Sequence, residues 1–357
     1  MKRRTLGLVS AILVGLVLFG VNAAPAQKPV KLKFASVFGT PGVAPMADVV
    51  ISWQEEVTRR TNGAITFENF WGGSLGAPAA HVDLVKTGAV QAVCTGSLYT
   101  ISRFPLDSFE YVIPFGPTDY ETVVKSHRQI RSEFPQLITE WKRENIVLVS
   151  KPPQGTYAFL SRVPLRVLDD WKGLKVALIG RYFGRWLPPG ATAVVRPGPE
   201  RYDLLKSGIS DVNLDPIDNA YIFKLNEVSK YCITNLSPLT ACPLSIIMNL
   251  NTYNGFPPET QKIILEAGIN AEMKAAKEVY PSFWGKTERE WKAKGLQFVE
   301  FREEEKVKWV HTLEDIPAQW AAEMSAQGLP GFDIIKRYQE ITASMGYKWA
   351  RQWGIKK

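Results

Sequence analysis

Histidine is the side chain best suited to acid–base work near neutral pH. The 357-residue chain holds three, His81, His127 and His311. They are widely scattered, with no HExxH and no paired spacing that suits a metal ion. There is no GxSxG nucleophile elbow, no GxGxxG behind a strand, and no phosphate loop of the GxxxxGK type. Each histidine therefore reads as a surface or helix-packing residue. The acidic pair Asp169-Asp170 falls at a helix start, where aspartate caps free N–H groups and favours the dipole. Glu303, Glu304 and Glu305 read as a solvated first turn. Cys94, Cys232 and Cys242 form no CxxC. They are either buried small hydrophobes, or a Cys232–Cys242 disulfide that leaves Cys94 over. Nothing is assembled for bond-making, so the expectation is a non-enzyme without cofactor or metal.

Composition narrows the class further. Apolar residues make up 45% and charged residues 22% of the chain, values of an ordinary folded protein with a sizeable core rather than a disordered chain. The only long apolar run lies at the start, which excludes a multi-span membrane protein. Residues 1–26 read as a secretory signal peptide. Lys2-Arg3-Arg4 form its charged region, Leu6 to Val21 its apolar core and Ala24-Pro25-Ala26 a small-x-small cleavage site. The mature chain then starts near Gln27 and resides in the periplasm. Net charge is +8, or +5 without Lys2, Arg3 and Arg4. The basic residues are not clustered, so nucleic acid is not an expected partner.

The chemistry-poor side chains must be positioned by alternating strands and helices. Lys31 to Phe38 alternates polar and apolar residues, as a half-buried strand does. Val49, Val50, Trp53 and Val57 recur at helical spacing over 44–60, and Thr61-Asn62-Gly63 stops that helix. A strand over 64–70, a helix over 78–87 ended by Gly88, and a strand over 91–95 follow. Helices between 119 and 144 lead to a strand at 146–150. Lys151 to Gly155 is a linker signal. A second βα set then runs through strands near 156–161, 174–178, 192–195, 211–214 and 230–234, with helices at 181–187 and 199–206. A strand over 243–250 leads to a helix-permissive stretch from Pro258 to Lys294, which at 1.5 Å per residue spans about 55 Å. It either reaches across two lobes or breaks near Pro281. Amphipathic helices separated near Gly328 to Gly331 close the chain. This rhythm predicts an α/β protein with mostly parallel sheets covered by helices.

Several segments follow one another in a telling order. They are Glu56 to Gly63 followed by Gly72-Gly73-Ser74-Leu75-Gly76, Val85 to Ala92, and Asp169 to Val176, similar to "DLKGLKIR". Glu200 to Asp211 is similar to "EVYxALxxGxVDG", and Glu227 to Tyr231 to "EVxKY". Asn249 to Asn254 with Phe256 to Gln261 then leads into the helix-permissive stretch. In this order the segments resemble the TRAP transporter solute-binding proteins of the DctP type. The resemblance implies a two-lobed Venus-flytrap fold. Lobe I comprises 27–150 plus 243–357, with the lobe-spanning helix and C-terminal helices, and lobe II comprises 151–242. It implies a receptor that binds a small organic solute between the lobes and delivers it to a TRAP-type permease driven by an ion gradient. It also implies a monomer, or a homodimer through the C-terminal helices. The alternatives are a ligand-sensing subunit of a signalling system, or a periplasmic enzyme.

The resemblance assigns the cleft to Phe38, Trp71, Ser97, Tyr99, Tyr157, Ala177, Arg181, Asn213 and Asp215, and it shows departures. The arginine that members use against a carboxylate falls on Ala177, a second falls on Tyr157, and the usual Asn of "DGQENP" is Asp215. A buried carboxylate without a cation is costly. Either Arg181 swings in, or the ligand is neutral or cationic and Asp215 accepts hydrogen bonds from it. The expectation is therefore a ligand that is not a simple carboxylate held in the family's usual way.

Overall fold

The computed structural model describes residues 29–179, 183–239 and 243–355. The signal-peptide segment, Arg181, Tyr182 and Cys242 lie outside the described residues. Eleven strands and twelve α-helices are formed among them. The first part runs β1 (Val30–Ser36), α1 (Pro45–Arg60), β2 (Ile65–Phe70), α2 (Ala80–Thr87), β3 (Ala92–Thr95), α3 (Tyr120–Glu133), α4 (Gln136–Arg143) and β4 (Ile146–Ser150). The second runs β5 (Tyr157–Ser161), β6 (Lys175–Leu178), β7 (Thr192–Val195), α5 (Arg201–Ser207), β8 (Val212–Pro216), α6 (Ile217–Ile222) and β9 (Tyr231–Ile233). The chain returns through β10 (Ser245–Asn249), α7 (Leu250–Asn254), α8 (Pro258–Lys274), α9 (Tyr280–Ala293), β11 (Gln297–Phe298), α10 (Glu303–Thr312), α11 (Ile316–Ala326) and α12 (Gly331–Ser344).

Local chemistry sets most of these bounds. In β1 Leu32 and Phe34 are buried while Lys31 and Lys33 stay outside. Pro45 opens α1, where its missing N–H is no loss. The helix stops at Asn62 and Gly63, both at positive φ. Gly88 takes the left-handed conformation that closes α2. Asp170 accepts from the backbone N–H groups of Arg166 and Val167 at 2.7 and 3.0 Å, so it caps the turn, while Asp169 pairs with Lys172 on the surface.

The strands form two sheets, β2-β1-β3-β10-β4 and β11-β9-β5-β8-β6-β7. Each is parallel except for one reversed strand, β10 in the first and β5 in the second. Crossing between the lobes explains the reversal. The chain leaves β4 at the C-terminal edge of sheet one and enters sheet two where β8 ends, with Tyr157 opposite Pro216. It leaves β9 and re-enters sheet one where β3 ends, with Ser245 opposite Thr95. A strand that enters from the exit edge of its neighbours must run against them. The C-terminal edges of both sheets therefore face each other, the side on which open α/β sheets bind ligands. The two crossing segments are tied where Leu244 N–H donates to Pro152 O at 2.8 Å.

One expectation is corrected here. The strand at 297–298, expected with lobe I, belongs to sheet two, where it pairs with β9. A two-residue strand takes the lobe of whatever edge it meets, and α9 has already crossed to pack on α6. The long helix does not break near Pro281. A π-turn at Ala275–Val279 joins α8 to α9 ahead of Pro281, absorbing the residue that lacks a donor. The apolar faces of α10 to α12 are buried within the chain. Trp309, Trp320, Ile334, Tyr338 and Ile341 share one core cluster with Phe159, Val176 and Leu214 of sheet two. No helix among the described residues is long and apolar enough to cross a membrane.

A candidate ligand site where the two sheet edges meet

Strand β8 alternates its side chains across sheet two. Val212 and Leu214 join the core beneath α10, so Asn213 and Asp215 point to the other face, and both are almost fully buried. Asn213 Nδ2 donates to Asp215 Oδ2 at 2.8 Å. Arg201, the first residue of α5, is fully buried and pairs through Nη1 with the same oxygen. That Nη1 also donates to Leu214 O at 3.2 Å. Nε and Nη2 of Arg201, and Oδ1 of Asn213, have no hydrogen-bond partner among the described residues.

The first lobe meets this cluster with the turn after β3. Ser97 is buried and its Oγ is unpartnered. Burial pushes the Tyr99 phenol up to about 12, with Arg201 pulling it down and Asp215 adding to the rise. Tyr99 of one lobe thus lies in the field of an ion pair in the other. Phe38 and Trp71 stand on neighbouring loops above β1 and β2, joined where Gly72 N–H donates to Phe38 O at 2.7 Å. Trp71 also packs against Phe34, with ring centroids 6.1 Å apart. Phe38, Trp71, Ser97 and Tyr99 therefore share the exit edge of sheet one.

Ala177 sits beside Asn213 in register and offers only a buried methyl group. Tyr157 lies opposite Pro216, one residue out of step with Asp215, whose partner is Ala158. Its ring therefore faces the other side of sheet two, edge-on to Phe183 at 6.0 Å. The structure does not bring Tyr157 into the Arg201–Asp215 cluster.

A second correction concerns Asp215. It is not a bare acid waiting for a cationic ligand, because Arg201 neutralises it and Asn213 fills a further acceptor position. The sequence reading missed Arg201. The signal was present: Glu200-Arg201-Tyr202 stands where the resembling motif reads Glu-Val-Tyr. Three and four residues on, Leu204 and Leu205 are buried on the same helix face. Asp218 was missed as well. It is buried one turn past β8, and its carboxyl is pushed up to about 7, mainly by burial and further by Asp215. Backbone N–H groups and Gln154 work against that rise.

The histidines play no part in this site. His81 and His127 are buried in helix packing, and His311 is exposed on α10. Cys94 and Cys232 are free and buried. Among the described residues no group of three His, Cys, Asp or Glu converges on a metal position.

Two helix-covered sheets facing across a polar, sealed seam define a two-lobed solute-binding fold. The profile of the bacterial extracellular solute-binding proteins, family 7 (DctP), matches residues 41–323. The chain belongs to that family. Over 340 residues it is 24% identical to the C4-dicarboxylate-binding periplasmic protein DctP of Rhodobacter capsulatus, covering 92% of this chain and 96% of that protein. Among solved structures it is similar to a TRAP solute-binding protein from Rhodoferax ferrireducens in complex with copurified benzoate. The TM-score is 0.77 at 22% identity, over 89% of this chain and 98% of that one. A marine-metagenome TRAP solute-binding protein specific for aromatic acid ligands, in complex with 3-hydroxybenzoate, superposes with TM-score 0.76 at 23% identity. That match covers 89% of this chain and 99% of the other.

Proposed function

We propose that this protein is an extracytoplasmic solute receptor. It captures a small organic acid between its lobes and hands it, chemically unaltered, to a TRAP-type membrane permease driven by an ion gradient. The observation that carries the reading is the seam itself. Polar atoms that are buried and unpartnered, Arg201 Nε and Nη2, Asn213 Oδ1 and Ser97 Oγ, come from both lobes and lie at the two facing strand edges. Leaving such groups unpaired costs about 1–3 kcal/mol each, so the closed form gains when a polar solute meets them. Closure is then an equilibrium biased by contacts that the solute makes only when the lobes are shut. The similar proteins named above bind organic acids, which supports the cargo class. The charged start, apolar core and Ala24-Pro25-Ala26 of residues 1–26 support export with cleavage near Ala26.

The test is a thermal-shift screen of the purified protein against organic acids, amines, polyols and sugars. The expected result is that one class raises the melting temperature in proportion to RT ln(1 + [L]/Kd) and is recovered unchanged by mass spectrometry. Turnover of the bound solute, or no shift from any class, would sink the receptor reading.

A further inference from the structure

We infer that Arg201 is the residue that grips the cargo, and that it selects a small monocarboxylate over a dicarboxylate. This inference rests on the receptor reading above and adds the ligand's charge and its anchor.

A guanidinium offers its donors in a fixed planar fork. In Arg201, Nη1 is committed to Asp215 and to Leu214 O, whereas Nε and Nη2 are unpartnered. Those two N–H groups lie side by side on one edge of the plane, the arrangement that meets both oxygens of a carboxylate. Position 177 supplies a methyl group in place of the expected cation. Asn213, in register with Ala177, is hydrogen-bonded to Asp215, and Asp215 is paired with Arg201. The cationic anchor has thus moved from strand β6 to the start of α5, on the same face of sheet two.

Charge then sets the cargo class. Among the described residues the buried Lys and Arg side chains are Lys151 and Arg201. Lys151 is committed to two carboxylates, with Nζ 2.6 Å from Asp107 and 2.9 Å from Glu110. Arg201 and Asp215 cancel as a pair, so one incoming carboxylate meets one free edge. A second carboxylate would find no buried cation and would lie close to Asp215 and Asp218, which is costly in a desolvated seam. Asp215 acts as a positioning residue: it fixes the fork before the cargo arrives and repels a second negative charge.

The experiment uses calorimetry at pH 7.5 with benzoate, 3-hydroxybenzoate, pyruvate and lactate. Succinate serves as the dianion, and benzamide and lactamide as neutral mimics. At least one monocarboxylate is expected to bind, its amide not to, and succinate to bind at least tenfold more weakly. Arg201→Lys keeps the charge beside Asp215 but loses the fork. It should weaken the monocarboxylate about 100-fold while keeping its unliganded melting transition. If Arg201→Lys does not fold, Asp215→Asn decides, because relieving the repulsion should raise the succinate-to-monocarboxylate affinity ratio. The inference is overturned if succinate binds as well as the monocarboxylates, if the amides bind as well as the acids, or if a folded Arg201→Lys binds the monocarboxylate as tightly as the parent does. It is overturned equally if the Asp215→Asn ratio does not rise. An amine or sugar that binds regardless of Arg201→Lys sinks this inference and leaves the receptor reading standing. Silence across every solute class sinks both.

Discussion

Asp218 shows at the residue scale how burial beside another acid sets a protonation state. Desolvation is the main cause that pushes its carboxyl up to about 7, and Asp215 adds to it. A carboxyl whose folded value lies above its unfolded one stabilises the fold fully only below the unfolded value, and that contribution is lost as pH rises through about 7. Asp218→Asn removes the ionisation. At pH 8 the variant should therefore be more stable than the parent, by up to about 4 kcal/mol, and the gain should vanish near pH 4; parallel urea titrations read the difference. Gly155 belongs to the same neighbourhood. A Cβ there would stand 2.5 Å from Asp218 Oδ1 and 3.3 Å from its backbone nitrogen, so Gly155→Ala should destabilise by about 1–3 kcal/mol. An unchanged melting temperature would refute the contact.

Helix α8 is the element that joins sheet one to the returning chain, and its fit depends on a missing side chain. Gly268 faces β4, and a Cβ would come within 2.5 Å of Val149 O and 3.1 Å of the Val149 side chain. Ser150 Oγ donates to Gly268 O at 2.9 Å across the same contact. Alanine is the better helix former by about 1 kcal/mol, yet here it must push the helix off the sheet. Gly268→Ala is expected to lower stability by about 1–3 kcal/mol in denaturant unfolding, against its propensity. Stabilisation would mean that the helix has slack on β4. Beyond this contact, the π-turn lets α9 continue past Pro281 to α6, so a single helical rod spans the two sheets.

At the scale of the whole molecule, β4 hands the chain to the second lobe, and a buried ionic network holds that crossing point. Lys151 N–H donates to Glu272 Oε1 at 2.5 Å, while Nζ reaches Asp107 and Glu110. His127 Nδ1 lies 3.1 Å from the other Glu110 oxygen. Burial opposes the charge on Lys151, but Asp107 and Glu110 prevail and hold its pKa above the ordinary value. Lys151→Met strands two carboxylates and should cost about 3–5 kcal/mol, seen as a lowered unfolding midpoint. Burial holds the His127 imidazole below its ordinary 6.5, although Glu110 works the other way. The unfolded chain thus binds that proton first, and stability should fall as pH drops below 6.5. In His127→Phe, which keeps a ring between Phe109 and Tyr338, the loss between pH 6.5 and 5 should be smaller. An unchanged slope would remove the histidine from the account.

What the sequence determined by itself is what neighbouring residues decide. The Leu32/Phe34 alternation, the Pro45 start, the Gly88 stop and the long run from Pro258 are readable because periodicity and positive φ are local properties. The ordered motifs from Glu56 to Gln261 carried the family and its two-lobed fold. The tertiary structure alone decided which side chains meet. It reversed β5 and β10 because of the direction from which the chain enters each sheet, and it recruited β11 to sheet two. It placed Tyr157 on the opposite face of sheet two from Asp215, by one residue of register. Arg201 and Asp215 are 14 positions apart, and the desolvation that makes their pairing matter arises only when α5, β8 and the turn at Ser97 close over them.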